Sequence, residues 1–145
     1  MVTVKIKMME GCEALMPARA HHDDAAFDIR SRVDMILEPG EPHLVATGIF
    51  MEFPAGYEAQ VRPRSGLALK HALSVLNSPG TIDAGYRGEV CVIMLNAGRE
   101  SYEIKRGDRI AQMVISKLPE VELLQVDELS DSARGAGGFG STGKK

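Results

Sequence analysis

The residues of this 145-residue chain best suited to chemistry gather in one stretch, Asn77 to Val90 (Asn-Ser-Pro-Gly-Thr-Ile-Asp-Ala-Gly-Tyr-Arg-Gly-Glu-Val). A carboxylate (Asp83), a ring (Tyr86), a cation (Arg87) and an amide (Asn77) stand among the turn formers Pro79, Gly80, Gly85 and Gly88. A carboxylate held within reach of a water molecule can serve as its general base. The plainer reading is a glycine-rich hairpin loop with solvated polar groups. In it Asp83 closes an Asx-type turn before Gly85, and Tyr86 is a core ring with its hydroxyl at the surface.

Further candidates lie elsewhere in the chain. Asp28 follows an aromatic residue in a strand-like segment, where its plainer reading is a surface carboxylate flanking Arg30. Arg64 and Ser65 stand where a strand gives way to a helix. The planar, permanently charged guanidinium suits phosphate oxygens, while free N–H groups at the helix start attract anions. Their plainer roles are surface charge and N-cap. Gln112 interrupts an apolar strand. His21, His22, Asp23 and Asp24 are adjacent in sequence, so they point in different directions and read as a solvated loop rather than a metal site.

These residues need a frame, and the hydrophobic pattern describes one built of strands. Period-two alternation marks strands at Val2–Lys7, Val33–Glu38, His43–Phe53 (with a bulge at Gly48) and Tyr57–Arg62. It continues at Glu89–Asn96, Ser101–Lys105, Arg109–Leu118 and Val121–Val126. Ser65–Ala72 reads as one short helix, capped by Ser65, with Leu67, Ala68, Leu69 and Ala72 on its apolar side. Short strands at regular spacing imply an all-β fold, a jelly-roll-like β-barrel occupying residues 1–129. From Ser130 to Lys145 the chain is rich in glycine and has little that can join a core, which favours a flexible arm. Arg134 and Phe139 are unexpected in a mere linker.

The totals exclude several classes. A hydrophobic fraction of 44% and a charged fraction of 26% are those of a globular domain. No apolar run approaches the roughly 20 residues of a membrane-spanning helix, and the alternating N-terminus does not read as a signal peptide. The net charge of −3 argues against a general nucleic-acid binder. Cys12 and Cys91, without metal-like pairing, suggest reduced thiols in a cytoplasmic setting.

Five stretches stand out from the strand background: Ala26–Ile29, Pro63–Ala68, Gly80–Val90, Arg106–Gln112 and Arg134–Gly143. In order and spacing they resemble the five motifs of the trimeric dUTP diphosphatases, and the likeness extends over essentially the whole chain. The resemblance implies hydrolysis of dUTP to dUMP and pyrophosphate, which keeps uracil out of DNA and supplies dUMP for dTMP synthesis. It implies that Asp83 activates the water that attacks the α-phosphorus, and that Asp28 holds Mg²⁺ through the ion's water shell. Arg64, Ser65, Gly66 and Gln112 would contact phosphates. Asn77, Thr81, Ile82, Asp83 and Cys91 would read the uracil edge, and Tyr86 would lie under the deoxyribose and refuse a 2′-hydroxyl. Arg134, Phe139, Gly140, Ser141 and Thr142 would close over the substrate. Asp108 and Arg109 are expected to pair with groups elsewhere and fix structure. Ala26 stands where the family commonly has glycine, which would strain the backbone if that position needs φ > 0.

The family builds each site from three subunits of a homotrimer, so the same assembly is expected here. Two rivals remain at this level. One is a dCTP deaminase of the same fold, whose general base is a glutamate near the position of Asp83. The other is a catalytically silent relative that senses nucleotides or binds protein. The wording of Gly80–Val90, the presence of Asp28 and Asp83, and the Phe-containing tail favour the triphosphatase.

Overall fold

The computed structural model describes residues 1–138 and 141, and among these described residues there are ten strands and one short α-helix. In order they are β1 (Lys5–Met8), a 3-10 turn (Glu13–Leu15), β2 (Phe27–Arg30), β3 (Met35–Leu37), β4 (Pro42–Glu52), β5 (Tyr57–Arg62) and α1 (Ser65–His71). There follow β6 (Leu73–Val75), β7 (Gly80–Asp83), β8 (Val90–Asn96), β9 (Tyr102–Ile104) and β10 (Arg109–Lys117).

The strands form two four-stranded sheets, β1-β4-β8-β6 and β2-β10-β5-β7, and a small β3-β9 ribbon. All the pairings between these strands are antiparallel. One core cluster draws on both large sheets, with Val45, Ile49, Val92 and Met94 from the first and Ile29, Val61, Ile82 and Met113 from the second. The architecture is therefore all-β and jelly-roll-like, as the sequence leads one to expect, with separate sheets sharing one core.

Alternation explains the strands. In β8, Val90, Val92, Met94 and Asn96 are buried, while Cys91, Ile93 and Leu95 face the other way. Each fully buried aliphatic side chain contributes about 1.5–3 kcal/mol, and a slip of one residue would exchange this inner set for the outer one. The β4 bulge falls at Gly48, as the sequence suggests, between the pairs Ala46–Cys91 and Ile49–Val90.

Four expectations need correction. Val121–Val126 forms no strand. Residues 118–129 run irregularly, with Leu123 at 93% and Leu124 at 79% exposure, because alternation does not by itself supply a partner edge. The helix spans Ser65–His71, but Arg64 occupies the N-cap position without a side-chain capping bond, so Ser65 is not the cap. Of the expected apolar helix side, Leu67 packs against the core while partly buried, but no helix residue is fully buried and Leu69 is 88% exposed. The first strand begins at Lys5 rather than Val2.

The Asn77–Val90 stretch is more than a hairpin loop. β6 and β8 pair as its two arms, but β7, inside the connection, crosses to the other sheet and pairs with β5. One segment thus ties both sheets together.

Candidate active site

The β2–β10–β5 register brings the dispersed motifs to one place. Asp28 pairs with Gln112, and Gln112 pairs on its other side with Arg62, two residues before Arg64. A cleft of about 310 Å³ results, lined in part by Asp28, Arg64, Ser65, Gly66, Arg109 and Gln112. The Arg64 Nε lies 3.1 Å from Asp28 Oδ1, and the Arg109 Nη1 lies 3.0 Å from Asp28 Oδ2. Arg64 also donates to the Arg109 carbonyl at 3.1 Å, and the Gln112 Nε2 donates to the Pro63 carbonyl at 2.8 Å. Two guanidiniums against one carboxylate leave an excess positive charge, which draws anionic oxygens into the cleft.

The same geometry bears on Mg²⁺. Both oxygens of Asp28 are engaged by arginines, and among the described residues no three His, Cys, Asp or Glu side chains cluster as a metal cage. Such a donor set fits an ion that keeps its water shell and takes its direct ligands from phosphates. The concern over Ala26 is removed, because Ala72 is the only non-glycine residue with positive φ among the described residues. The His21–Asp24 segment is a turn, with the His21 N–H donating to Asp24 Oδ2 at 2.8 Å.

A second cleft, of about 330 Å³, is lined in part by Thr81, Ile82, Asp83, Tyr86 and Cys91. Ile82 is buried while Thr81 and Asp83, on either side, are exposed, as alternation along β7 requires. The turn after Asp83 is closed by backbone, Tyr86 N–H to the Asp83 carbonyl at 3.0 Å, rather than by the carboxylate of an Asx turn. Tyr86 is 45% exposed, so it is no core ring. Its hydroxyl donates to the Glu89 carbonyl at 2.9 Å, and its ring lies where a Cβ on residue 88 would collide with it. That contact explains the glycine at residue 88. Arg87 folds back on the turn, donating to the Ala84 and Tyr86 carbonyls at 2.7 and 2.9 Å.

Glu89 also lines this cleft; the guanidinium of Arg32 grips its carboxylate at 2.7 and 3.2 Å, and the Gly48 N–H donates to the same carboxylate at 2.8 Å. The Arg32 hydrogen bond holds the Glu89 carboxyl below the usual carboxylate range, and Glu89 in turn raises Arg32. Burial, reinforced by the Glu89 charge, pushes the Cys91 thiol up, so it stays protonated at neutral pH. Both cysteines are free.

The two clefts share no lining residue. Asn77 is exposed and lines neither; its Nδ2 would lie 3.2 Å from a Cβ on residue 80. Arg134 makes a local turn, its Nε donating to the Gly137 carbonyl at 2.7 Å, and the Ser141 Oγ lies close by Gly137. Phe139, Gly140 and Thr142 lie outside the described residues. Arg109 pairs as expected, and the Asp108 carboxylate accepts from the Lys105 N–H at 2.9 Å. The sequence reading missed Arg32 and the role of Glu89. The bulge glycine was the available signal, since a β-bulge leaves unpaired backbone N–H groups that a nearby carboxylate can accept.

Comparison with known proteins bears on the family. The family model described as dUTPase matches residues 12–143. A deoxyuridine 5′-triphosphate nucleotidohydrolase of Nautilia profundicola is 53% identical over 141 residues, covering 97% of this chain and 99% of that protein. One from Clostridium acetobutylicum is 53% identical over 145 residues, covering 100% and 99%. Among solved structures, a variant of the Staphylococcus bacteriophage 80alpha dUTPase with dUpNHpp has a TM-score of 0.88 at 32% identity, covering 97% of this chain and 98% of that one. A dUTPase from phage phi11 of S. aureus, described with a structural Mg(II) ion, has a TM-score of 0.81 at 28% identity, covering 89% and 99%. With half of its sequence identical to such relatives along nearly its whole length, and with the same fold, the chain belongs to the dUTPase family.

Proposed function

We propose that this chain, a hydrolase that converts dUTP to dUMP, works by attack of an Asp83-activated water on the α-phosphorus. Asp83 takes a proton from the water, the new oxygen–phosphorus bond forms at the α position, and the bridging oxygen leaves with pyrophosphate. The observation that carries this reading is the position of Asp83, exposed at the end of β7 on the rim of the cleft that also holds Tyr86. A carboxylate there has the solvent access a general base needs.

Thr81, Ile82 and Cys91, with Asn77 and the flanking backbone, read the uracil edge. An amine in place of the uracil carbonyl leaves buried groups unpaired, which is how such sites reject cytosine. The Tyr86 ring lies under the deoxyribose. Arg64, Ser65, Gly66 and Gln112 take the phosphates. Bound Mg²⁺ would neutralise phosphate charge, with Asp28 holding it through water. Arg134, Phe139 and Ser141–Thr142, on an arm beginning near Ser130, close over the substrate and exclude water.

We further propose a homotrimer with shared sites. Two observations support it: the phosphate cleft and the nucleoside cleft are separate within one chain, and apolar side chains remain uncovered. Leu44 (63% exposed) pairs with Ile93 on the outer face of the first sheet, and Leu76 donates its N–H to the Ile93 carbonyl. An uncovered apolar patch of this kind marks an interaction surface. A sheet interior to an assembly would account for it, and a stable, active monomer in light scattering would remove the proposal. The unpaired thiols support a cytoplasmic setting. Hydrolysis in water enriched in heavy oxygen tests the attack site: label in dUMP is expected, and label in pyrophosphate would place attack at the β-phosphorus.

A further inference from the structure

We infer that the Arg32–Glu89 pair is a positioning device for Tyr86 and thereby sets how strictly the site refuses ribonucleotides. The inference rests on the proposed role of Tyr86 under the sugar, and it concerns Glu89, which lines the second cleft beside Tyr86, and Arg32, which lines neither cleft.

The β4 bulge and the Glu89 side chain are built for each other. Between the pairs Ala46–Cys91 and Ile49–Val90, the β4–β8 ladder is interrupted by Thr47 and Gly48. Side chains replace the missing bonds: Thr47 Oγ1 donates to the Val90 carbonyl at 2.5 Å, and the Gly48 N–H donates to Glu89 Oε1 at 2.8 Å. Gly48 has φ of +75°, and a Cβ there would lie 2.9 Å from Cys12 Sγ and 3.3 Å from Arg32 Cδ. Residue 48 must therefore be glycine for Arg32 and Cys12 to pack over the bulge.

Arg32 is itself held at both ends of its backbone. Its N–H donates to the Ala46 carbonyl at 2.9 Å, and its carbonyl accepts from Arg106 Nη1 at 2.6 Å. From that fixed base it grips Glu89 with two parallel hydrogen bonds, with the pair only 28% and 18% exposed. Bidentate pairing fixes orientation as well as distance.

Glu89 then passes its position on through its main chain. Its carbonyl is the acceptor for the Tyr86 hydroxyl at 2.9 Å, and the hydroxyl end of the ring lies where a Cβ on residue 88 would be. With Glu89 clamped, the Tyr86 ring has one place to be. With the clamp released, the carbonyl and ring gain freedom to retreat, and room opens for a 2′-hydroxyl. Rejection of an added hydroxyl by a close-packed surface depends on that surface not yielding.

The test is the ratio of kcat/KM for dUTP to that for UTP, measured with thermal unfolding on wild type, Arg32→Ala, Arg32→Lys, Glu89→Gln and Tyr86→Phe. In Arg32→Ala the ratio should fall by on the order of tenfold, the size of coupling expected between directly linked residues. Arg32→Lys keeps the charge and should recover part of the loss. Arg32→Ala added to Tyr86→Phe should lower the ratio little further, because both break one chain of contacts. Glu89→Gln keeps the shape and an acceptor for Gly48, and it carries the test should Arg32→Ala not fold. Lowered unfolding temperature with an unchanged ratio in a folded variant would make the pair merely structural and overturn the inference, as would full additivity with Tyr86→Phe. A wild-type enzyme that turned over dUTP and UTP equally would instead remove the role of Tyr86 on which it rests.

Discussion

Asp28 on β2 and Arg109 on the neighbouring β10 form an ion pair, the guanidinium Nη1 3.0 Å from the carboxylate Oδ2, while Arg64 closes on the other oxygen at 3.1 Å. The carboxylate thus holds two guanidiniums in place at the cleft, and their surplus positive charge attracts anionic oxygens. A carboxylate so occupied is a poor direct metal ligand and a good partner for a hydrated ion.

Metal dependence should therefore belong to turnover and not to folding. EDTA is expected to suppress dUTP hydrolysis while leaving the thermal unfolding temperature unchanged. Asp28→Asn should raise the Mg²⁺ concentration for half-maximal rate by roughly 10–100-fold, as expected for loss of a water-mediated contact. A large drop in unfolding temperature on chelation would reveal a resident structural ion.

Asp83→Asn should lower kcat by roughly 10²–10⁴, the range for losing a general base, with little change in KM. Asp83 is exposed at a strand end, so the unfolding temperature should move little. Steady-state pyrophosphate release and thermal unfolding measure both, and full activity would remove Asp83 as the base.

The Arg32–Glu89 pair gives a stability term with a definite sign in pH. The Glu89 carboxyl is held below its ordinary value of 4.5, chiefly by the Arg32 hydrogen bond, so the folded state favours the charged form. Its contribution is complete above the ordinary carboxylate range and is lost as pH falls through the lowered folded value. Arg32 is shifted upward and stays charged throughout. Part-buried hydrogen bonds to charged groups contribute about 1.5–3 kcal/mol. Wild type should unfold at higher temperature than Glu89→Gln near neutral pH, and the gap should narrow below about pH 4. A gap independent of pH would contradict the assignment.

Removing Arg134–Lys145 should depress turnover while leaving the strand signal and the oligomer intact. The described part of this arm makes only local bonds, such as Arg134 to Gly137, and the last strand ends at Lys117. Circular dichroism and light scattering alongside the assay check this; loss of the oligomer would make the arm structural.

Much of the frame was legible because alternation reports burial directly. Tyr57–Arg62 was read to the residue, and the bulge at Gly48 was marked by a glycine within an apolar strand. Val121–Val126 shows the limit: the same alternation occurs in an exposed segment that joins no sheet. β7 was hidden because its pairing to β5 is a tertiary fact, and Gly80 and Thr81 signal a turn as well as a strand. At the site, Asp28, Arg64, Ser65 and Gln112 were read singly and do converge, since β10 lies between β2 and β5. Arg32 carried no local signal. It sits in a polar connection, and its importance comes from Glu89, 57 residues away.

The most direct test is pyrophosphate release from dUTP, dCTP, dTTP and UTP, each with and without Mg²⁺. Mg²⁺-dependent turnover of dUTP, with dUMP as the product and the other three nucleotides spared, is the expected result. Ammonia released from dCTP, or comparable turnover of all four, would contradict it.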